Sequence, residues 1–348
     1  MAARFRCIRL TPQRIEGISR TVDIYRVDDP IERLAATGLP ASNPAPLVDR
    51  TAELGLLRDG WAAAKGRNGG VFILSGEPGV GKSRLIRTLI ETATTDGAYT
   101  LNCHCIRENA GSAFFPIIQM LLAEFGLEPV DGRRDAFHRL EQALDAMAMP
   151  DDAVDVLAAF LAVPLPPEVQ PPRLSPEGLR QRTLEVLTLW LHRRTDEHPV
   201  LFVVEDIHWS DASTFEWLGL VARQAMMSKL MIVLTARSEF RHPFVGLSHV
   251  KEIALERLPA EHMLRLVGLL TENRALPASL RRQVVERSDG NPLFLEEQVK
   301  TIYETAGENG LENAAVPGAF RRHLDIPTSL RGLLTARLDR LTVGKTVA

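Results

Sequence analysis

Cysteine is scarce in this chain, with 3 residues in 348. An odd number spread so thinly excludes a disulfide scaffold and fits a reducing, cytoplasmic setting. Charge of one sign is also lacking: 41 Lys and Arg against 44 Asp and Glu leave a net charge of −3. That balance supplies no electrostatic footprint for non-specific nucleic-acid binding. The basic pairs Arg133-Arg134 and Arg321-Arg322 are short and interleaved with acids, as on solvated helix faces. No apolar run approaches a membrane span, and the stretch Met1–Cys7 lacks the apolar core of a secretory signal. Cys103-His104-Cys105 invites a metal reading, but a structural zinc site needs four ligands in paired clusters and no second cluster exists. Two free thiols at a strand end are expected instead.

What is present is ordinary globular material, 45% hydrophobic and 24% charged, with length for about two or three domains. Short apolar runs alternate with longer helical patterns. The runs are Val71–Ser75, Tyr99–Cys103, Val200–Val204, Leu230–Thr235 and, more weakly, Val250–Leu255. Their continuous apolarity predicts strands buried on both faces, hence a parallel sheet flanked by helices. A helical region spans about Ala113 to Leu161, and the prolines from Pro164 to Pro176 predict a surface loop. After Leu255 the strand signal stops, and Leu258, Met263, Leu266, Val267 and Leu270 begin a small helical domain. Residues 1–28 read as a hairpin-like pair of extended segments, and 29–46 as a Pro/Ala/Ser linker. Residues 326–348 read as the start of a further helical domain, cut off just after a strong helical pattern, so a piece of a longer protein is expected.

Residues 76–83 are Gly-Glu-Pro-Gly-Val-Gly-Lys-Ser, a complete G-x-x-x-x-G-K-S phosphate-binding loop. The buried strand Val71–Ser75 precedes it, and Leu85, Ile86, Leu89 and Ile90 place a helix after it. Gly76, Gly79 and Gly81 let the backbone curl so that several N–H groups face one anion, with Glu77, Pro78, Val80 and the adjoining Arg84 completing the cradle. The helix N-terminus adds partial positive charge. Lys82 is expected to bridge β- and γ-phosphates, and the Ser83 hydroxyl to take a Mg²⁺ position. The pattern implies binding of a nucleoside tri- or diphosphate.

Glu205 and Asp206 follow the run Val200–Val204, at the C-terminal edge of a strand neighbouring the phosphate loop. One acid is expected to hold the metal and the next to orient or deprotonate the attacking water. Glu205 is assigned the metal and Asp206 the water, with the reverse order open. Ser213 and Glu216 fit a capping box for the next helix, with Asp211 and Trp209 structural and His208 a loop residue. Arg237, at the end of the fourth strand, has the planar donors to sense a γ-phosphate, and Thr235 a hydroxyl to assist.

Together these residues resemble the signal-transduction ATPases with numerous domains (STAND), a branch of the AAA+ ATPases. More narrowly, they are similar to the ATPase segment that follows class III adenylate/guanylate cyclase domains in bacterial multidomain regulators. The resemblance runs from about residue 46 to 342. It rests on Pro46–Leu54, Gly76–Leu85, Glu205-Asp-Ile-His-Trp-Ser-Asp211, Thr235–Phe240, Gly290–Glu297, Ile326–Leu330 and Arg337–Leu341. It implies an α/β P-loop NTPase core of three layers with a parallel sheet over 47–255, followed by a smaller all-α lid over 256–325. It assigns Arg237 to the γ-phosphate and places Val48, Arg50 and Pro292 against the adenine. The family has Gly where this chain has Asp49, a substitution that strains the adenine side if the position takes a positive φ. The stretch Arg14–Val27 is similar to the closing strands of a cyclase domain. The cyclase metal and substrate residues would lie upstream, so no cyclase activity is expected.

The resemblance implies an ATP-binding and ATP-hydrolysing regulatory switch using ATP or ADP with Mg²⁺. Other domains or proteins of a larger regulator are its expected partners, with a homo-oligomer as a further candidate. Two alternatives stay open here: a nucleotide-binding scaffold without turnover, and a DNA-associated AAA+ ATPase. The missing basic face speaks against nucleic acid. A small-molecule kinase is disfavoured because nothing reads as an acceptor pocket.

Overall fold

The structure, a computed structural model, describes residues 5–9, 25–30, 47–127, 133–244, 246–271 and 276–306. Strands β1 (Phe5–Arg9) and β2 (Tyr25–Pro30) pair antiparallel, with a register shift between Arg6 and Cys7. They belong to a unit spanning Met1–Pro44, and everything below concerns the second unit, Ala45–Ala348. The segment 326–348, with the motifs at Ile326–Leu330 and Arg337–Leu341, lies outside the described residues. So do residues 307–325 of the expected lid and residues 31–46 of the expected linker.

The apolar runs form five parallel strands: β3 (Gly70–Gly76), β4 (Tyr99–His104), β5 (Val200–Glu205), β6 (Leu230–Ala236) and β7 (Val250–Leu255). Their order is β4-β5-β6-β3-β7. Alternate residues of each central strand feed opposite cores. Val71, Ile73, Phe202, Val204, Ile232 and Leu234 face one side, where α3 (Phe115–Glu124), α4 (Arg133–Ala146), α5 (Ala153–Phe160), α6 (Pro176–Glu197) and α7 (Ala212–Gln224) supply residues such as Ile117, Leu157, Trp190 and Trp217. Phe72, Leu74, Leu201, Val203, Met231 and Val233 face the other, against α1 (Thr51–Lys65) and α2 (Lys82–Thr95). The expected three layers are therefore present.

A separate apolar cluster joins α8 (Ala260–Leu270), α9 (Ala278–Ser288) and α10 (Pro292–Ala306) through Met263, Leu266, Val284, Leu295 and Ile302. Val48, just before α1, is packed into this same cluster.

Four expectations change. Burial on both faces holds for β3, β5 and β6 but not for β4 or β7, which sit at the sheet edges and alternate in exposure. The strand carrying Glu205 is not the immediate neighbour of the phosphate-loop strand, because β6 lies between them. Pro176 is not in the proline-rich loop: it opens α6, where its missing N–H costs nothing and Ser175 caps the turn. The capping box at Ser213 does not form. Asp211 caps α7 instead, its Oδ1 accepting from the backbone N–H groups of Ser213 and Thr214, while Glu216 pairs with Arg180.

Candidate functional site

The loop between β3 and α2 turns on two glycines in the left-handed region, Gly79 (φ 81°) and Gly81 (φ 107°). A side chain at Gly79 would also collide: its Cβ would stand 2.6 Å from Asn291 Oδ1. Lys82 is buried inside the curl, donating to the carbonyls of Gly76 (2.7 Å) and Glu77 (3.0 Å). Burial pushes its ammonium pKa below the ordinary lysine value, against the opposing pull of Asp206.

Ser83 follows, and its hydroxyl donates to Glu205 Oε2 at 2.5 Å. Two hard oxygen donors converge here from opposite ends of the motif set, a chemistry that suits a divalent cation of the Mg²⁺ kind. Among the described residues no group of three or more His, Cys, Asp or Glu is placed to hold a metal ion. Cys103 and Cys105 are free, buried thiols, as expected, and burial raises the pKa of both, that of Cys105 to about 12.

Asp206 leaves β5 with φ 55°, and its N–H is received by the Thr235 hydroxyl at 2.8 Å. Thr235 therefore sets the turn that aims Asp206, where the sequence suggested a phosphate contact. The Asp206 carboxylate lies 3.8 Å from His104 Nε2 and 4.0 Å from His208 Nδ1. Arg237, half-exposed just past β6, rests with its guanidinium carbon 5.3 Å from the centre of the Trp209 ring. Arg107 lies 5.5 Å from the same ring. Trp209, read from sequence as structural, is thus a platform for two guanidinium groups.

Beside the loop a cleft partly open to solvent is bounded by Leu47, Val48 and Val80 from the core and by Leu258, Leu266 and Pro292 from the helical part, with Arg50 and Arg84 completing it. Val48, Arg50 and Pro292, far apart in sequence, are brought together here. The Arg50 guanidinium is engaged by the carbonyls of Val80 and Glu256 and by Glu53, so it braces the wall of the cleft. Asp49 does take the left-handed conformation, φ 60°, which Asp tolerates better than most residues, and its carboxylate lies 2.8 Å from His262 Nδ1 on α8.

Sequence reasoning missed the grip of the helical part on the loop itself. Asn291 Nδ2 donates to the Pro78 carbonyl (2.9 Å), the Leu293 N–H to the Gly79 carbonyl (3.3 Å), and Arg84 pairs with Glu296 at 2.7 Å. Arg257 bridges Glu77 and Asp289. The signal for Asn291 was present, since Asn before Pro is a helix N-cap followed by N1. Asn291 Oδ1 does accept from the Phe294 N–H at 3.2 Å.

Among solved structures the chain is similar to Cdc6p from Pyrobaculum aerophilum (14% identity, 77% of this chain, 64% of that one, TM-score 0.45). It is also similar to a signal transduction ATPase with numerous domains, bearing a tetratricopeptide repeat sensor, from Pyrococcus horikoshii (15%, 78% and 32%, TM-score 0.41). A curated relative, an uncharacterized protein of Rhizobium meliloti (strain 1021), is 25% identical over 316 residues. Those residues are 87% of this chain and 29% of the relative, so the chain spans under a third of that protein. The AAA ATPase domain family matches residues 46–233, which include the phosphate loop, the Ser83–Glu205 contact and β5 with Asp206. The chain belongs to the AAA ATPase domain family and is a nucleotide-binding P-loop ATPase.

Proposed function

We propose that this chain is an ATP-hydrolysing regulatory switch, in which the α/β core over 47–255 holds the nucleotide and the helices from 256 onward act as its lid. The observation that carries the reading is the direct bonding of Asn291 and Leu293 to the carbonyls of Pro78 and Gly79. A change in the loop on nucleotide exchange is felt at those two bonds, and so by α10. A ligand moves such an equilibrium by its differential contacts with the two lid positions.

The chain's own groups divide the work as follows. Loop N–H groups and the α2 N-terminus bind the phosphates, and Lys82 exchanges its two carbonyl partners for phosphate oxygens. Ser83 and Glu205 are the residues that would hold Mg²⁺; when bound, the ion neutralises charge on the phosphate oxygens. Glu205 is engaged with Ser83, which favours giving the metal to Glu205 and the attacking water to Asp206. Arg237, supported by Trp209, meets the γ-phosphate. The cleft beside Val48 and Pro292 takes the adenine.

The output passes to other domains or proteins of a larger regulator. The ribbon β1/β2 as the end of a cyclase domain belongs to this same proposal. Its test is to denature the purified chain and identify released nucleotide by chromatography, with Lys82→Ala in parallel and steady-state phosphate release measured on both. Stoichiometric adenine nucleotide and Lys82-dependent turnover support the switch. Bound nucleotide without turnover would make it a scaffold, and an empty parent that takes up no ATP would sink the reading.

A further inference from the structure

His208 lies in the 3-10 turn Ile207–Trp209 that follows Asp206, and its side chain is only 10% exposed. Both ring nitrogens are buried, and neither has a hydrogen-bond partner among the described residues. The Asp206 carboxylate stands 4.0 Å from Nδ1, beyond hydrogen-bond length. Buried polar atoms are almost always paired, so an orphaned imidazole is a position where a ligand or an ordered water can supply the bond.

The surroundings say which ligand. The charged groups that act on this ring are Asp206, Arg237, Lys82 and Glu239. Two of them are the cations of the phosphate site. The ring also lies against Trp209, 5.0 Å between centroids, the same indole that carries Arg237. Ser83 thus meets Glu205, and the next residue, Asp206, leads by contacts to His208 and across Trp209 to Arg237. Burial lowers the imidazole pKa, against the pull of Asp206. A neutral ring keeps one N–H donor and avoids like-charge repulsion from Lys82 and Arg237.

We propose that His208 senses the terminal phosphate of the nucleotide, its ring N–H donating a hydrogen bond to a γ-phosphate oxygen that a triphosphate has and a diphosphate lacks. This rests on the reading of Lys82, Ser83 and Glu205 as a nucleotide site and adds to it a residue that discriminates ATP from ADP. A site built to donate such a bond is left with an unpaired buried donor when the shorter ligand binds, which sharpens discrimination.

The test is equilibrium titration of the full chain with ATPγS and, separately, with ADP, for the parent, H208F and H208N. Melting temperatures are measured alongside. The expected result is that H208F binds ATPγS about 10-fold more weakly or worse and ADP within about twofold of the parent. H208N, which keeps an N–H donor, recovers most of that loss. Equal weakening of both ligands, or H208N as poor as H208F, would overturn the assignment. Unchanged ATPγS affinity would also overturn it, even with slower turnover, since His208 would then act on water. If H208F does not fold, H208M supplies the donor-free side chain. A parent that binds neither ligand would overturn the functional reading itself, whereas Lys82-dependent binding with no effect at His208 overturns this assignment alone.

Discussion

Arg84 of α2 and Glu296 of α10 lie 2.7 Å apart and tie the helix that begins at the phosphate loop to the helical lid. Each side chain is largely shielded, at 20% and 24% exposure, so the pair is less screened than an open surface bridge. A pair of this kind contributes about 1 kcal/mol. Glu296→Gln should therefore speed release of a fluorescent ADP about fivefold, as read by stopped flow. An unchanged rate would mean that the lid does not retain the nucleotide through this contact.

Lys82 is buried with its ammonium on two loop carbonyls, oxygen partners that phosphate oxygens would replace. Lys82→Ala removes the charge and leaves those carbonyls unpaired. Fluorescent-ADP affinity should fall by about 100-fold or more, the effect of deleting a charged hydrogen-bond donor from a desolvated site. Undiminished affinity in the titration would reject the phosphate-site assignment.

Asp206 has its backbone N–H held by Thr235, while the preceding Glu205 is engaged by Ser83. Asp206→Asn keeps the shape and removes the carboxylate that would orient or deprotonate water. Phosphate release should slow about 100-fold while ATP affinity changes by less than about threefold. Equal turnover by parent and variant would reject that division of labour and return the water role to Glu205.

Burial holds the Cys105 thiol at a pKa of about 12 and raises that of Cys103 as well. A raised thiol pKa means less thiolate, so at pH 8 both should resist iodoacetamide in the native protein and react once it is unfolded. Peptide mapping by mass spectrometry reads the two sites separately. Rapid native labelling at either one would show that the end of β4 opens to solvent.

Much of this protein was legible before any coordinates. Short, continuous apolar runs rich in β-branched residues read as strands covered on both faces, and β3, β5 and β6 are that. The phosphate loop was legible because left-handed backbone at two positions and one buried cation demand particular residue types at fixed spacing. The edge character of β4 and β7, the insertion of β6 between β3 and β5, and the cap at Asp211 were not legible, because neighbours and caps depend on what packs alongside.

The site divides along the same line. Lys82, Ser83, Glu205, Asp206 and Arg237 could be named from the chain because each ends or begins a strand or helix whose direction is set locally. That Ser83 meets Glu205 across 122 residues, that Asn291 bonds to Pro78, and that His208 is buried without a partner were decided only by the tertiary structure. Those contacts join segments far apart in sequence, and their geometry comes from how the sheet and the helical cluster pack. Residue types fix which chemistry is available; packing determines which groups are close enough to use it.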